Sequence, residues 1–202
     1  MGTAFTPEEQ ILIRKDLKKA AKKYLIMYGM RKTSVEQLVA EVGISKGAFY
    51  KFYDTKEHLF FDLVEDMHDE MYKGVTEILS DSSISTPLKR LENAILFAYH
   101  SMSDTSMLTF LTDELPYVLR KLSSTMIEEH IQSDTLNVAK LLDDVGIHLN
   151  YSSEFISSLV RGIISLSRER AIIGEAAYED VIRFLIHTSC VKLLEDATFD
   201  NV

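Results

Sequence analysis

Tryptophan is missing from the 202-residue chain, and cysteine, proline and glycine are scarce, with one Cys, three Pro and eight Gly. A single cysteine, Cys190, cannot close an intramolecular disulfide, which excludes a disulfide-framework fold. So little Gly and Pro excludes a collagenous chain, and the turn residues expected roughly every 8–12 positions of a β-sandwich are not there. No apolar run reaches the roughly 18 residues that span a bilayer; the stretch from Phe155 to Leu166 is broken by Arg161. The opening MGTAFTPEEQ lacks the charged start, apolar centre and small-residue cleavage site of an export signal. Together with the lone Cys this leads to the expectation of a reducing cytoplasm. What the chain does have is 46% apolar and 26% charged residues, enough for one or two compact domains with a sizeable core.

The net charge of −9 argues against a nucleic-acid partner only until its distribution is read. Residues 1–57 hold eleven basic and seven acidic side chains, a balance of +4, whereas the remainder carries −13. A small basic head on a large acidic body is the pattern of an anion-binding module joined to a non-binding one.

Apolar residues recur at three- and four-residue spacing along most of the chain, which predicts an all-α fold of about nine helices. The first runs from about Pro7 to Tyr28, with Leu17, Ala20, Ala21, Tyr24, Leu25 and Tyr28 on one face, and Gly29 closes it. Two short helices follow, about Ser34–Glu41 and Ser45–Phe52, around Val42-Gly43-Ile44. Thr33 and Glu36 have capping-box spacing, Gly43 suits a left-handed helix end, and Ser45 can cap the second helix. A long acidic helix begins near Asp54–Glu57, which puts the domain boundary between a head of residues 1–57 and a body of residues 58–202. In the body, Thr86 and Pro87 open another helix, Pro116 marks a bend before a helix to about Asp144, and two final helices cover about Ser152–Arg170 and Glu175–Asp196.

Two short helices around a tight glycine turn are the parts of a helix-turn-helix, whose second helix enters the major groove of DNA. Here the second helix opens with Ser45-Lys46-Gly47-Ala48, small residues and one cation that permit close backbone approach to phosphates. Over residues 14–59 the sequence resembles the TetR family of bacterial transcriptional regulators. The matching residues are Arg14, Leu17, Ala20-Ala21, Tyr24-Leu25 and Gly29 in the first helix, then Thr33-Ser34-Val35 at the start of the second. The turn and recognition helix match as Val42-Gly43-Ile44-Ser45-Lys46-Gly47-Ala48-Phe49-Tyr50, and the closing segment as Tyr53-x-x-Lys56-Glu57-x-Leu59. Phe52 and Tyr53 depart from the family's commonest residues, and Phe52 removes a polar group near the DNA backbone.

The resemblance implies DNA-binding roles for Thr33, Ser34, Ser45, Lys46, Gly47, Ala48, Tyr50, Lys51 and Lys56. Thr33 and Ser34 suit either a phosphate or simple helix capping. Tyr50 and Lys56 match phosphate-binding positions, against the plainer reading of a packed Tyr and a solvated Lys. Lys46 suits guanine or phosphate, and Ala48 a thymine methyl. Since base contacts specify and phosphate contacts position, Lys46, Gly47 and Ala48 are the expected source of sequence preference.

In the body, the final helix is apolar nearly all round, and the preceding one adds Phe155, Ile156, Leu159, Val160, Ile163 and Ile164, so a symmetric homodimer is expected through both. The resemblance implies the same dimer, a pseudo-palindromic operator and a small-molecule effector that releases DNA. Met and aromatic residues of the middle helices suit a pocket for an apolar or amphipathic ligand or an ordinary core; the candidate contacts are Phe97, His100, Met107, Phe110, Tyr117 and Arg161. The six His form no metal-ligating spacing, Cys190 has no nucleophile signature and no glycine-rich phosphate loop exists. Hence no enzyme activity, metal site or cofactor is expected. The competing expectation is a DNA-binding structural or cell-division protein whose body holds a protein partner, which an enclosed body cavity would disfavour.

Overall fold

Thr6 and Glu9 start the first helix by mutual capping: the Glu9 amide donates to Thr6 Oγ1 at 3.2 Å and the Thr6 amide to Glu9 Oε2 at 2.8 Å. The computed structural model of the chain describes residues 5–102 and 109–199. Helix α1, Pro7–Tyr28, buries Leu17, Ala20, Ala21 and Leu25 on one face and ends at Gly29, whose φ of +78° only glycine adopts without strain. Helix α2 covers Val35–Val42 and α3 Lys46–Phe49. The reciprocal cap of α2 is Ser34 with Gln37, one residue later than the expected Thr33 with Glu36, because Thr33 turns inward and its hydroxyl donates to the Gly29 carbonyl at 2.8 Å. Gly43 is left-handed at φ +76° and Ser45 Oγ accepts from the Ala48 amide at 3.1 Å, as the spacing predicts. The α3 helix stops well before Phe52, giving way to tight turns in which the Lys51 and Phe52 amides donate to the Ala48 and Phe49 carbonyls.

Helix α4, Lys56–Ser80, is the long acidic helix, and α5 spans Pro87–Met102 with Thr86 as its cap. A π-helical segment, Phe110–Glu114, leads into α6, Leu115–Leu119; the bend expected at Pro116 falls here because proline cannot donate to the preceding turn. Then come α7, Ser124–Asp144, α8, Ser153–Ser165, a 3₁₀ turn at Leu166–Glu169, α9, Arg170–Ile173, and α10, Tyr178–Leu194. The expected helix to Arg170 therefore breaks into three pieces, and Gly174, at φ +98°, delays the last helix to Tyr178. Among the described residues one feature departs from the all-α pattern: Ile147–His148 and Thr198–Phe199 pair as a two-residue antiparallel ribbon.

The chain divides into two compact units, Met1–Met67 with Thr105–Ser124, and His68–Asp104 with Thr125–Val202. In the first, Leu17, Leu38, Phe49, Leu59 and Phe60 are fully buried, and Tyr53 is 1% exposed with its ring 5.9 Å from that of Phe49. In the second, Leu79, Leu91, Tyr178, Ile182, Ile186 and Cys190 anchor one apolar cluster. No described helix is long and apolar enough to cross a membrane.

Candidate functional site

The loop between α1 and α2 is held from two sides. The Lys56 ammonium at the start of α4 donates to the Met30 carbonyl at 2.8 Å and the Thr33 carbonyl at 2.6 Å. The Glu114 carboxylate, 9% exposed, accepts from the Met30 amide at 2.7 Å and the Arg31 amide at 3.0 Å. A cation on the carbonyls and an anion on the amides fix the loop that sets where α2 begins. Partial burial pushes Lys56 below the ordinary lysine pKa, while Glu57 and Glu114 pull it back up. Two of the three ammonium protons are thus spent inside the protein, and Thr33, 1% exposed, has its hydroxyl on Gly29. Ser34, half-buried, caps α2 with its hydroxyl.

Around α3 the structure leaves Ser45, Lys46, Gly47, Tyr50 and Lys51 exposed. Ala48 is 8% exposed and turned into the head core beside Phe49, so its methyl is not on the outer surface as the thymine contact would need. A helix this short has one outward face, and Ala48 and Phe49 fall on the other. Lys46 Nζ lies 2.5 Å from Glu36 Oε1, and that bond holds the Glu36 carboxyl below the usual carboxylate value. Tyr50 is 48% exposed and meets the Phe49 ring edge-on at 5.4 Å. Behind this surface Phe52 packs on Phe5 at 5.7 Å, and the Arg14 guanidinium lies 5.1 Å from the centre of the Tyr53 ring. The Tyr53 hydroxyl donates to Asp62 at 2.5 Å; burial and then that carboxylate raise its pKa. An aromatic residue at 52 and a phenol at 53 therefore serve the head's interior.

The second unit contains a cavity of about 110 Å³ whose wall is mainly aliphatic, including Val75, Leu79, Leu91 and Ile95. Its polar members are His68, Tyr72, Asp134, Ser157 and Arg161. Of the six candidate ligand contacts, Arg161 alone lines it among the described residues. Phe97 is 37% exposed with its ring laid over Gly74, and His100 is exposed, with its ring 5.3 Å from that of Tyr99. Phe110 and Tyr117 belong to the first unit, where Phe110 meets Phe60 at 6.2 Å and Tyr117 lies under Arg31 at 5.6 Å. Met107 lies outside the described residues. Sequence reading missed His68, Tyr72, Asp134 and Ser157; the available signal was His130 and Asp134 at helical i,i+4 spacing on α7.

The sequence model of the tetR family of bacterial regulatory proteins matches residues 17–63. An uncharacterized HTH-type transcriptional regulator of Bacillus subtilis, YdgC, is 24% identical over 172 residues, which cover 77% of this chain and 87% of that protein. Among solved structures, a TetR-family regulator from Pectobacterium atrosepticum has a similar fold, with a TM-score of 0.64 at 20% identity over 94% of this chain and 96% of that one. Another similar fold is FadR from Bacillus subtilis, solved in complex with stearoyl-CoA, with a TM-score of 0.55 at 13% identity over 85% of this chain and 97% of that one.

Proposed function

We propose that the chain is a member of the TetR family of bacterial DNA-binding regulators, whose sequence model matches its residues 17–63, and that it is a cytoplasmic, homodimeric repressor released from a pseudo-palindromic operator by a small apolar or amphipathic ligand. The observation that carries the reading is the capped helix-turn-helix with Ser45, Lys46, Gly47, Tyr50 and Lys51 turned outward from a clamped loop. In this reading Tyr50 and Lys51 contact phosphates, Lys46 and Gly47 meet base edges or the backbone beside them, and Ser34 and the start of α2 hold a further phosphate. Lys56 acts mainly by positioning that start, with one N–H left for the DNA.

Two features of the body support the rest. The apolar cavity is the kind of space that takes a small ligand, which favours an effector over a body built only to hold a protein partner. On α8 and α10, Phe155, Phe184 and Val191 are 48%, 67% and 40% exposed, large apolar surfaces that a second copy of the chain would cover. The ligand's release of DNA follows from linkage: a compound that prefers the non-binding conformation lowers DNA affinity by the factor that DNA lowers its own.

Selection of bound sequences from random duplex DNA with the full chain tests the proposal. The expected result is a two-fold-related consensus whose preferred bases change in Lys46→Ala, with Tyr50→Phe weakening all sequences alike. Enrichment of no related half-sites would overturn it.

A further inference from the structure

Beside the cavity, whose wall includes His68 and Asp134, three side chains from two helices converge. His68 comes from α4, and His130 and Asp134 stand one turn apart on α7; one ligand atom of each lies within 4.8 Å of the others. His68 Nδ1 is 3.3 Å from Asp134 Oδ1, and His130 Nε2 is 3.8 Å from Asp134 Oδ2. Both separations exceed the usual N–H···O distance of about 2.9–3.0 Å, and the buried His68 Nδ1 has no hydrogen-bond partner. The His68–Asp134 separation fits another geometry, and the 3.8 Å between His130 and Asp134 is a little longer than that geometry requires. Ligands about 2.0–2.1 Å from a tetrahedral zinc-class ion stand roughly 3.3–3.5 Å apart, and two imidazoles on one such ion have ring centres roughly 5 Å apart. Here the ring centres of His68 and His130 are 4.9 Å apart.

We propose that His68, His130 and Asp134 hold a divalent transition-metal ion of the zinc class, leaving one coordination position open to the cavity. Two imidazoles and one carboxylate are donors that zinc, cobalt(II) and nickel(II) accept and that magnesium and calcium, which favour all-oxygen sites, do not. The carboxylate is prepared for the role. The Tyr72 hydroxyl donates to Asp134 Oδ1 at 3.3 Å, a second-layer contact that orients the ligand. Arg161 Nη1 lies 3.8 Å from Oδ2. An ion here clips α4 to α7 and gives the cavity a Lewis-acidic end, so an effector carrying an oxygen or nitrogen donor on an apolar frame would bind it directly. The site stands on this cluster alone and does not depend on the repressor reading.

Cobalt(II) added to chelator-stripped full-length protein tests the site. The expected result is one equivalent bound per chain with the intense visible bands of a four-coordinate ion, displaced by zinc and unaffected by magnesium. Zinc should also raise the thermal midpoint. His130→Ala is expected to weaken binding by more than about 100-fold, beyond the usual cost of losing a second-layer partner. The double variant His68→Ala/His130→Ala, checked for native fold by circular dichroism, should lose the bands and the zinc-induced shift. A wild-type spectrum no different from aqueous cobalt would overturn the proposal whatever the variants do, as would undiminished uptake by the folded double variant.

Discussion

Lys56 decides whether the α1–α2 loop is held from within or merely lies near DNA. In Lys56→Met the stem keeps its length but loses the ammonium, and the Met30 and Thr33 carbonyls, reached at 2.8 and 2.6 Å, lose their donor. Hydrogen bonds to a charged group contribute about 1.5–3 kcal/mol each. Partial burial of the ammonium offsets much of that, as its lowered pKa indicates, and water reaches a half-buried site. The net loss is therefore expected to be about 2 kcal/mol, well below the sum of two full bonds. For a chain of this length that shifts the thermal midpoint down by about 4–8 °C. Far-UV circular dichroism at low and high salt reads it, and the shift should persist at high salt because carbonyl partners are dipoles and not counter-ions. Operator affinity should fall for every sequence, and the slope of log affinity against log salt should fall by no more than about one unit, the share of the single remaining N–H. An unchanged midpoint with the slope reduced by a full unit would refute the reasoning and make Lys56 a surface phosphate contact.

Two further outcomes test the body. Phe184→Glu, at a position 67% exposed in the single chain, should leave the fold intact and give monomers in sedimentation where the parent chain is a dimer at micromolar concentration; a parent monomer or a dimeric variant would refute the proposed interface. Burial, with Glu92 adding to it, pushes the Cys190 thiol up to about 12 from its ordinary 9.0, so a thiol reagent should react slowly with folded protein and rapidly once urea unfolds it. The same shift gives the sign of a pH effect: the neutral thiol's contribution to stability is complete below about 9 and is lost as pH climbs toward about 12. Fast modification of the native chain would contradict the burial.

The head was readable because its signals are local. Gly29, Gly43 and Ser45 act within their own turns, and periodicity together with the Gly29 cap located the helix from about Pro7 to Tyr28. What could not be read depends on partners distant in sequence. The Lys46–Glu36 pair, the inward turn of Thr33 and the burial of Ala48 follow from how α2 and α3 pack. Phe110 and Tyr117 looked like pocket residues because aromatic composition cannot tell which of two units a returning segment joins. His68 lies far from His130 and Asp134 in sequence, so no spacing rule joins them; only the packing of α4 on α7 does. The Ile147–Phe199 ribbon is two residues long on each strand, too short for any alternation to register.

Glu114 bears on how heads of this kind can be exchanged between proteins. Its carboxylate closes on the Met30 and Arg31 amides from a segment more than eighty residues downstream, so the DNA-reading half is not a contiguous cassette. A chimera that joins Met1–Met67 to a foreign body would leave the buried Met30 amide and the part-buried Arg31 amide without their acceptor. A faithful transplant has to bring Phe110–Leu119 with it, two pieces inherited as one. Gly29 travels with them as well: besides its φ of +78°, any Cβ there would stand 3.0 Å from the Glu114 oxygen, so a larger residue at 29 displaces the clamp.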